Sequence, residues 1–498
     1  MEGFDVEAFA EVQRALAPMW PELTMRRRSG ERTLLVLSSV SFAVPDHLHV
    51  LLPAYEERYL SYVLTLVQAP ATRVIYVTSQ PMLARMLDYY LDLIPNVDRE
   101  DLRRRLIPIS VGDWSPRPLT EKILERPRLI ARLRSLIPDP ARAVIIPFAS
   151  TALEARLSVE LGVAIYGSHP RLEYLGTKSG SREAFRASGV PCPSGAEGIR
   201  SVDEIVDVLV ELVDARGPEA AIVKLDGGVS GLGNAVVDLR DARDRREIEN
   251  RVRRLSPEDD AFDAESFLAE LEAQGGIVEE RITGDDFRSP SVQLRASPEG
   301  VIEVLTTHDQ MLGGPSAQTY FGCTFPADPA YAGMITQHAR AVGLELAARG
   351  VIGRFAIDFV ATRAGEDWSA YAVEINLRSG GTTHPYLALF ALTEGVYDAD
   401  SSQFLVDGVA KHYVATDHLE TPNLRTLTPD DVLDVIGEAG LGWDHARLRG
   451  LVFHMLSGVG VAGRLGVTAI ADSAMEAKRL YGLAEDALTA AAAPLPRR

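Results

Sequence analysis

Cysteine is scarce in this chain of 498 residues, with two in all, Cys192 and Cys323. Two thiols so far apart make neither a disulfide framework nor a zinc-type spacing, so reduced thiols in a cytoplasmic setting are expected. Long apolar runs are also missing. None reaches the roughly 18–20 residues that span a bilayer, and Met1-Glu2-Gly3-Phe4-Asp5 shows no basic stretch followed by an apolar one, so neither a secretory signal nor a membrane partner is expected. Positive charge is in deficit. A formal net charge of -19 argues against a protein that tracks nucleic-acid phosphates, and the short runs Arg26-Arg27-Arg28 and Arg103-Arg104-Arg105 read as solvated faces. Low-complexity linkers and internal repeats are absent, which points to closely packed domains.

Several catalytic signatures are missing too. No Gly-x-Gly-x-x-Gly follows the first strand pattern, which removes the usual dinucleotide site. No glycine loop ends in Gly-Lys-Ser/Thr, so there is no Walker A loop, and no Ser-His-Asp or Cys-His arrangement stands out. What remains is an ordinary soluble composition, 46% hydrophobic and 24% charged, which excludes wholesale disorder. The length calls for roughly two to four domains.

The first third alternates strand and helix patterns. Leu34–Val40, Arg73–Val77, Leu106–Val111, Ala143–Pro147 and Val163–Gly167 read as buried strands. Glu56–Val67, Met82–Leu93 and Leu119–Leu136 read as helices between them, so a helix-covered parallel sheet is expected over 1–170. Thr78-Ser79-Gln80-Pro81 sits at a strand end, as a ligand loop or a plain turn. From about Pro170 the pattern changes. Helices are expected at Ser181–Ser188 and Val202–Ala215, then a hairpin of Ala221–Lys224 and Ala235–Leu239 around a glycine loop. The charged segment Asp241–Glu272 reads as helical and solvent-facing. Antiparallel strands follow at Ile277–Ile282, Ser291–Arg295 and Ile302–Thr306, then the helix Tyr331–Arg349 with Ile335, Ala339, Val342 and Leu346 on one face and Gly350 as its stop. Phe355–Val360 and Ala370–Ile375 flank a turn. The last part, 395–498, reads as a small α/β appendage with helices at Thr428–Gly437 and Met475–Leu488, ending in a frayed Ala490–Ala493 tail.

The chemistry concentrates at Glu374-Ile375-Asn376-Leu377-Arg378-Ser379-Gly380-Gly381. In a strand, residues two apart share a face, so Glu374, Asn376 and Arg378 converge where the strand opens into glycines. Two oxygen donors beside a cation suit a magnesium-bound polyphosphate. Upstream, Gly227-Gly228-Val229-Ser230-Gly231-Leu232-Gly233 follows Lys224 closely, and glycine backbone N–H groups can wrap an anion there. Lys178 lies at a loop-to-helix junction, where helix N-termini favour anions. Glu279, Glu280, Asp285 and Asp286 place acceptors around a strand and turn.

In that order these pieces resemble the ATP-grasp ligases with a pre-ATP-grasp domain. Lys224-Leu225-Asp226-Gly227-Gly228-Val229-Ser230-Gly231, Thr307-His308-Asp309-Gln310 and Glu374 through Thr382-Thr383-His384-Pro385 resemble the pheganomycin-type peptide ligases more narrowly, as does Phe453-His454-Met455. The resemblance implies an α/β fold (α+β in the lobes) with a pre-ATP-grasp domain at 1–170, a two-lobed ATP-grasp domain at 171–394 and a substrate-shaping region at 395–498. It implies ATP and Mg2+ as cofactors. Lys178 and Lys224 would grip phosphates, and Gly227, Gly228, Ser230, Gly231 and Gly233 would close over them. Glu279 or its neighbour Glu280 would read adenine and Asp286 the ribose. Asp358, Glu374 and Asn376 would hold metal, and Arg354 or Arg378 would stabilise transition-state charge, with His308 and His384 contacting substrate or taking a proton. The implied activity is peptide or amide bond formation between an amino acid or small carboxylate and an amine or peptide, through an acyl phosphate, releasing ADP and phosphate. A homodimer is compatible with it. Two alternatives keep the scaffold: a carboxylase or carbamoyl-phosphate-type enzyme, and a non-catalytic ATP-binding regulator. The stretch Ser457–Gly463 carries small residues where the resembling sequences are bulkier, which predicts a more open loop.

Overall fold

The computed structural model describes residues 4–24, 30–41, 44, 46–68, 71–228, 233–242, 244–259, 261–313 and 319–493. Ser230 and Gly231 of the glycine loop, Arg26-Arg27-Arg28 and Pro494–Arg498 lie outside them.

Five strands form a parallel sheet in the order Leu106–Ser110, Thr72–Thr78, Arg32–Leu37, Ala143–Pro147, Ala164–Ile165. Arg32–Leu37 and Ala143–Pro147 are buried throughout, as expected where helices cover both faces of a parallel sheet. Two expected helices are broken. Leu119–Leu136 splits into Leu119–Leu124 and Pro127–Leu136, because proline disfavours the helical conformation in the residue before it and Arg126 indeed leaves the helical region (φ -120, ψ 82). Glu56–Val67 is a run of Leu52–Glu57, a 3₁₀ stretch Arg58–Leu64 and Thr65–Gln68. The strand expected at Val163–Gly167 pairs only over Ala164–Ile165.

A second, antiparallel sheet runs Gly195–Ile199, Gly276–Glu280, Ala220–Leu225, Asn234–Asp238, Ser256–Pro257. Val202–Arg216 covers it, capped by the Ser201 side chain and stopped by Gly217 at φ +61. The charged segment at 241–272 is not one solvent-facing helix. It forms Arg245–Val252 and Ala264–Gln274, which bury Ile248, Val252, Phe267 and Leu271 beneath their charged faces.

The largest sheet has nine strands. Asp286–Arg288, Gly353–Ala364, Pro290–Ala296, Ile302–Gly313 and Thr319–Phe325 lead into His412–Glu420, Arg464–Ala471 and Gly450–His454, with Asp367–Asn376 paired to Gly353–Ala364. The C-terminal α/β part is therefore joined edge to edge with the strands before it, and one apolar core runs from Leu16 to Ala492 through both. Pro329–Ala348 packs Ile335, Ala339, Val342 and Leu346 onto the sheet. The late helix extends over Ala474–Ala491, so Ala490 and Ala491 belong to it and are not a frayed tail. Ser457–Gly463 is not an open loop either. Gly458–Ala462 is a short helix with Val459 buried, and a Cβ on Gly458 would stand 2.6 Å from the Arg464 carbonyl oxygen, which only glycine avoids. Among the described residues no helix is long and apolar enough to cross a membrane.

Glu57 sits under that turn, 5% exposed, and accepts the Ser457 N–H at 3.2 Å. Burial, reinforced by the charge of Glu56, pushes its carboxyl up to about 8. A raised folded-state value stabilises below the unfolded value of 4.5 and is lost as pH rises towards about 8. Glu57→Gln, which keeps an acceptor for Ser457, should therefore gain stability over the wild type across that window, by on the order of 2–4 kcal/mol at its alkaline end. Urea unfolding of both proteins at intervals of pH checks this, and parallel curves would refute it.

Candidate active site

Glu374 and Asn376 end the Asp367–Asn376 strand, and Asp358 is the register partner of Glu374 on the neighbouring strand. Period two puts Asp358, Glu374 and Asn376 on one face, and they line a cavity of about 1050 Å³ between the small antiparallel sheet and the large one. Asn376 Nδ2 donates to Asp358 Oδ2 at 2.9 Å, leaving its amide oxygen as the donor atom of this cluster. Two carboxylates and one amide oxygen form an all-oxygen set of the kind magnesium takes. Burial, then the charge of Glu374, pushes Asp358 up to about 6. Burial works against ionisation of Glu374, but Lys178, at 2.6 Å, and then Arg378 hold it below the usual carboxylate range.

The strand then turns back under the parallel sheet. Ser379 N–H bonds the Phe148 carbonyl at 2.9 Å, and the Arg378 guanidinium lies over the Phe148 ring. This brings Arg378, Gly380, Gly381 and Thr382 to the cavity wall.

Both lysines face the same space. Lys178 opens the helix Lys178–Ala187, three residues before the start at Ser181 that the sequence pattern suggests, because Thr177 caps it and accepts the Gly180 N–H. Lys224 is buried in the hairpin and ion-pairs with Glu279, whose other oxygen faces Arg182 at 3.4 Å. The described part of the glycine loop is internally bonded. Gly227 N–H donates to Gln274 Oε1 at 2.8 Å and Gly228 N–H to the Leu225 carbonyl, so these two amides are occupied, against the expectation that they wait for an anion. Gly233, at φ +91, makes the return turn.

At the end of the Gly276–Glu280 strand, Glu280 accepts from Ser194 N–H at 3.0 Å and pairs with Arg216 at 3.2 Å. Glu279, Glu280, Arg281 and Ile282 all line the cavity. Asp286 does not. It pairs with Arg288 at 2.6 Å on the other face of its strand, while the alternating Phe287 and Ser289 turn inward. Phe287, 47% exposed, is an apolar surface on the cavity wall that sequence reasoning passed over.

Three further expectations are displaced. Arg354 lines a separate cavity of about 170 Å³ with its guanidinium over Tyr386. His308 is fully buried against Phe325 and Tyr413, its Nε2 2.5 Å from the Tyr413 hydroxyl, and burial pushes it down to about 3. His384 is buried behind the wall, also pushed down to about 3 by burial and then by His454, so neither imidazole is a base at neutral pH. In its place the cavity wall presents Asp417, which Arg58 holds at 2.5 Å. No local signal marks that pair, since its members lie 359 positions apart. The Ser79 N–H and hydroxyl both go to Glu56 at 2.6 Å, so the Thr78–Pro81 segment is a bonded turn.

The family model described as IQCH-like ATP-grasp matches residues 261–399, and the PGM1 C-terminal domain matches 431–483. The L-propargylglycine–L-glutamate ligase of Streptantibioticus cattleyicolor is 32% identical over 427 residues, which cover 84% of this chain and 86% of the relative. IQ motif-containing protein H of Danio rerio is 22% identical over 507 residues, 90% of this chain but 47% of that protein. Among solved structures, biotin carboxylase from Campylobacter jejuni with β,γ-ATP has a TM-score of 0.57 at 14% identity, covering 92% of this chain and 91% of that one. The biotin carboxylase domain of the Hydrogenobacter thermophilus 2-oxoglutarate carboxylase, solved with MgADP, gives 0.54 at 14% identity, covering 91% and 89%. The fold is thus shared with nucleotide-binding carboxylases, the sequence with an amino-acid ligase, and the chain belongs to the ATP-grasp ligases.

Proposed function

We propose that this enzyme joins a carboxylate to an amine, making a peptide or amide bond through an acyl phosphate with release of ADP and phosphate. The observation that carries this reading is the convergence of Lys178, Lys224 and Arg378 with Asp358, Glu374 and Asn376 on one cavity wall. ATP would lie with its base along Arg281–Ile282 and Phe287 and its phosphates towards the two lysines. Asp358, Glu374 and Asn376 would hold Mg2+, which when bound supplies charge neutralisation for the phosphates.

Lys178 pairs with Glu374 and Lys224 with Glu279. Phosphate oxygens would share these two ammonium groups with the carboxylates, Glu279 keeping Arg182 as its second cation and Glu374 turning to the metal. A substrate carboxylate oxygen attacks the γ-phosphorus while its bond to the β,γ-bridging oxygen breaks, and ADP departs. Arg378 stabilises the charge that develops there. The amine nitrogen then attacks the acyl carbon, the C–O bond to phosphate breaks, and the proton shed by the nitrogen leaves on the departing phosphate. The region 395–498, proposed as the third unit after 1–170 and 171–394, contributes Asp417 and His418 to the same wall, which supports a part in shaping the substrate site.

The test is incubation with ATP, magnesium and a panel of amino acids and short peptides, read by mass spectrometry and nucleotide analysis. ADP formation that depends on both a carboxylate and an amine is expected. AMP release, or ADP formation that depends on bicarbonate alone, would overturn the reading.

A further inference from the structure

Where Asp417 reaches the cavity wall, it meets two imidazoles buried behind that wall, the three side chains coming from three separate elements. His384 comes from the helix Thr383–Thr393, Asp417 from the strand His412–Glu420 and His454 from the end of Gly450–His454. Each residue is 3% exposed. His384 Nε2 stands 2.9 Å from His454 Nε2 and 3.4 Å from Asp417 Oδ1, and His454 Nε2 stands 2.7 Å from that same oxygen. We infer that His384, Asp417 and His454 bind a divalent transition-metal ion of the zinc class, distinct from the all-oxygen cluster at Asp358, Glu374 and Asn376.

Proton arithmetic is the first argument. A carboxylate oxygen only accepts, and each imidazole Nε2 either donates one proton or accepts one. If both nitrogens carry protons, the two N–H groups collide across 2.9 Å. If neither does, three lone pairs face one another in a buried place. With one proton, a single N–H has to serve both an imidazole and a carboxylate. A cation at the centre satisfies all three lone pairs at once. In a four-coordinate zinc site with bonds of about 2.0–2.1 Å, donor atoms stand about 3.3 Å apart, close to the triangle here.

The surroundings support the same reading. Arg58 takes the other oxygen of Asp417, Oδ2, at 2.5 Å, which leaves Oδ1 for the triangle and fixes the carboxylate's orientation, as outer-shell partners of metal ligands do. The His454 ring lies against bare backbone at Gly466, where any Cβ would overlap the imidazole, so the fold is shaped to seat that ring. Two imidazoles with one carboxylate select zinc, cobalt, nickel or iron over magnesium. Three protein donors leave a further position for water. Such a centre would tie both C-terminal strands to the helix that follows the Glu374–Gly381 segment, and so hold Gly380–Thr382 at the cavity wall.

The experiment uses untagged full-length protein, passed through metal-free buffer and assayed by plasma mass spectrometry. About one equivalent of a zinc-class metal per chain is expected. After chelator treatment, cobalt titration should produce visible ligand-field absorption that saturates at one equivalent. His454→Gln and His384→Gln should each lose the metal and the band, whereas Glu374→Gln should keep both. Zinc-edge X-ray absorption of the wild type should show two imidazoles per metal, which tests the ligand set even if a variant fails to fold. Wild-type protein with less than about 0.1 equivalent of metal and no cobalt band would overturn the proposal. So would retention of the metal by both histidine variants, or an absorption spectrum without imidazole.

Discussion

Glu374→Gln should lower ADP formation roughly a thousandfold, about 4 kcal/mol of transition-state stabilisation, while the variant unfolds close to the wild-type midpoint. The two halves of this expectation have different causes. Turnover falls because an amide is a weak magnesium ligand and the remaining Asp358 and Asn376 cannot hold the ion in place alone. Stability survives because the lost charge has a neighbour ready to replace it. Asp358 is pushed up partly by Glu374, and Lys178 already acts on it. With Glu374 neutral, that push disappears and Asp358 ionises more readily beside Lys178. The cavity also admits water to Glu374, whose side chain is 21% exposed, so the cost of the broken ion pair stays near about 1–2 kcal/mol and below the range for sealed pairs. Turnover within tenfold of the wild type would remove Glu374 from the metal-holding role. A collapsed unfolding midpoint would make it a structural residue.

Lys224→Met is expected to strike both function and fold. Glu279 is 2% exposed and depends on Lys224 and Arg182 for its two oxygens. Removing Lys224 leaves a sealed carboxylate with one partner, which costs about 3–5 kcal/mol. Adding Glu279→Gln removes the uncompensated charge, so the double variant should recover most of that stability in urea unfolding. ADP formation should stay depressed by at least roughly a hundredfold in both, because the phosphate-facing ammonium is gone from both. If the double variant regains turnover with stability, Lys224 serves only to neutralise Glu279, and the phosphate role fails.

The expected elements with strong apolar periodicity are the ones the structure contains. The parallel strands, Val202–Arg216, Pro329–Ala348 and the hairpin that ends at Asn376 all carry burial patterns that local sequence displays. Expectation and structure differ where a proline breaks the local pattern or a long-range partner intervenes. Pro127 splits the Leu119–Leu136 pattern by a purely local rule. Asp286, which the resemblance implies as a ribose contact, stays off the cavity because strand alternation turns Phe287 and Ser289 inward in its place. Buried Ile248 and Phe267 were hidden by the charges beside them in a segment that looks solvated throughout.

The sequence by itself determined the strand alternation that lines up Asp358, Glu374 and Asn376, the lysine that precedes a glycine loop, and the likeness to an ATP-dependent ligase family. These are properties of spacing two, of short motifs and of their order, and none needs a distant contact. Only the tertiary structure decided which charges meet. It placed Arg378 at the cavity and Arg354 away from it, gave Lys178 to Glu374 and Lys224 to Glu279, and buried His308 and His384. It also brought Arg58 to Asp417 and His384 to His454. Such pairings depend on how separate sheets dock, and docking follows from the summed burial of apolar surface over whole elements. A polar residue's neighbours are therefore set by side chains far from it in the chain.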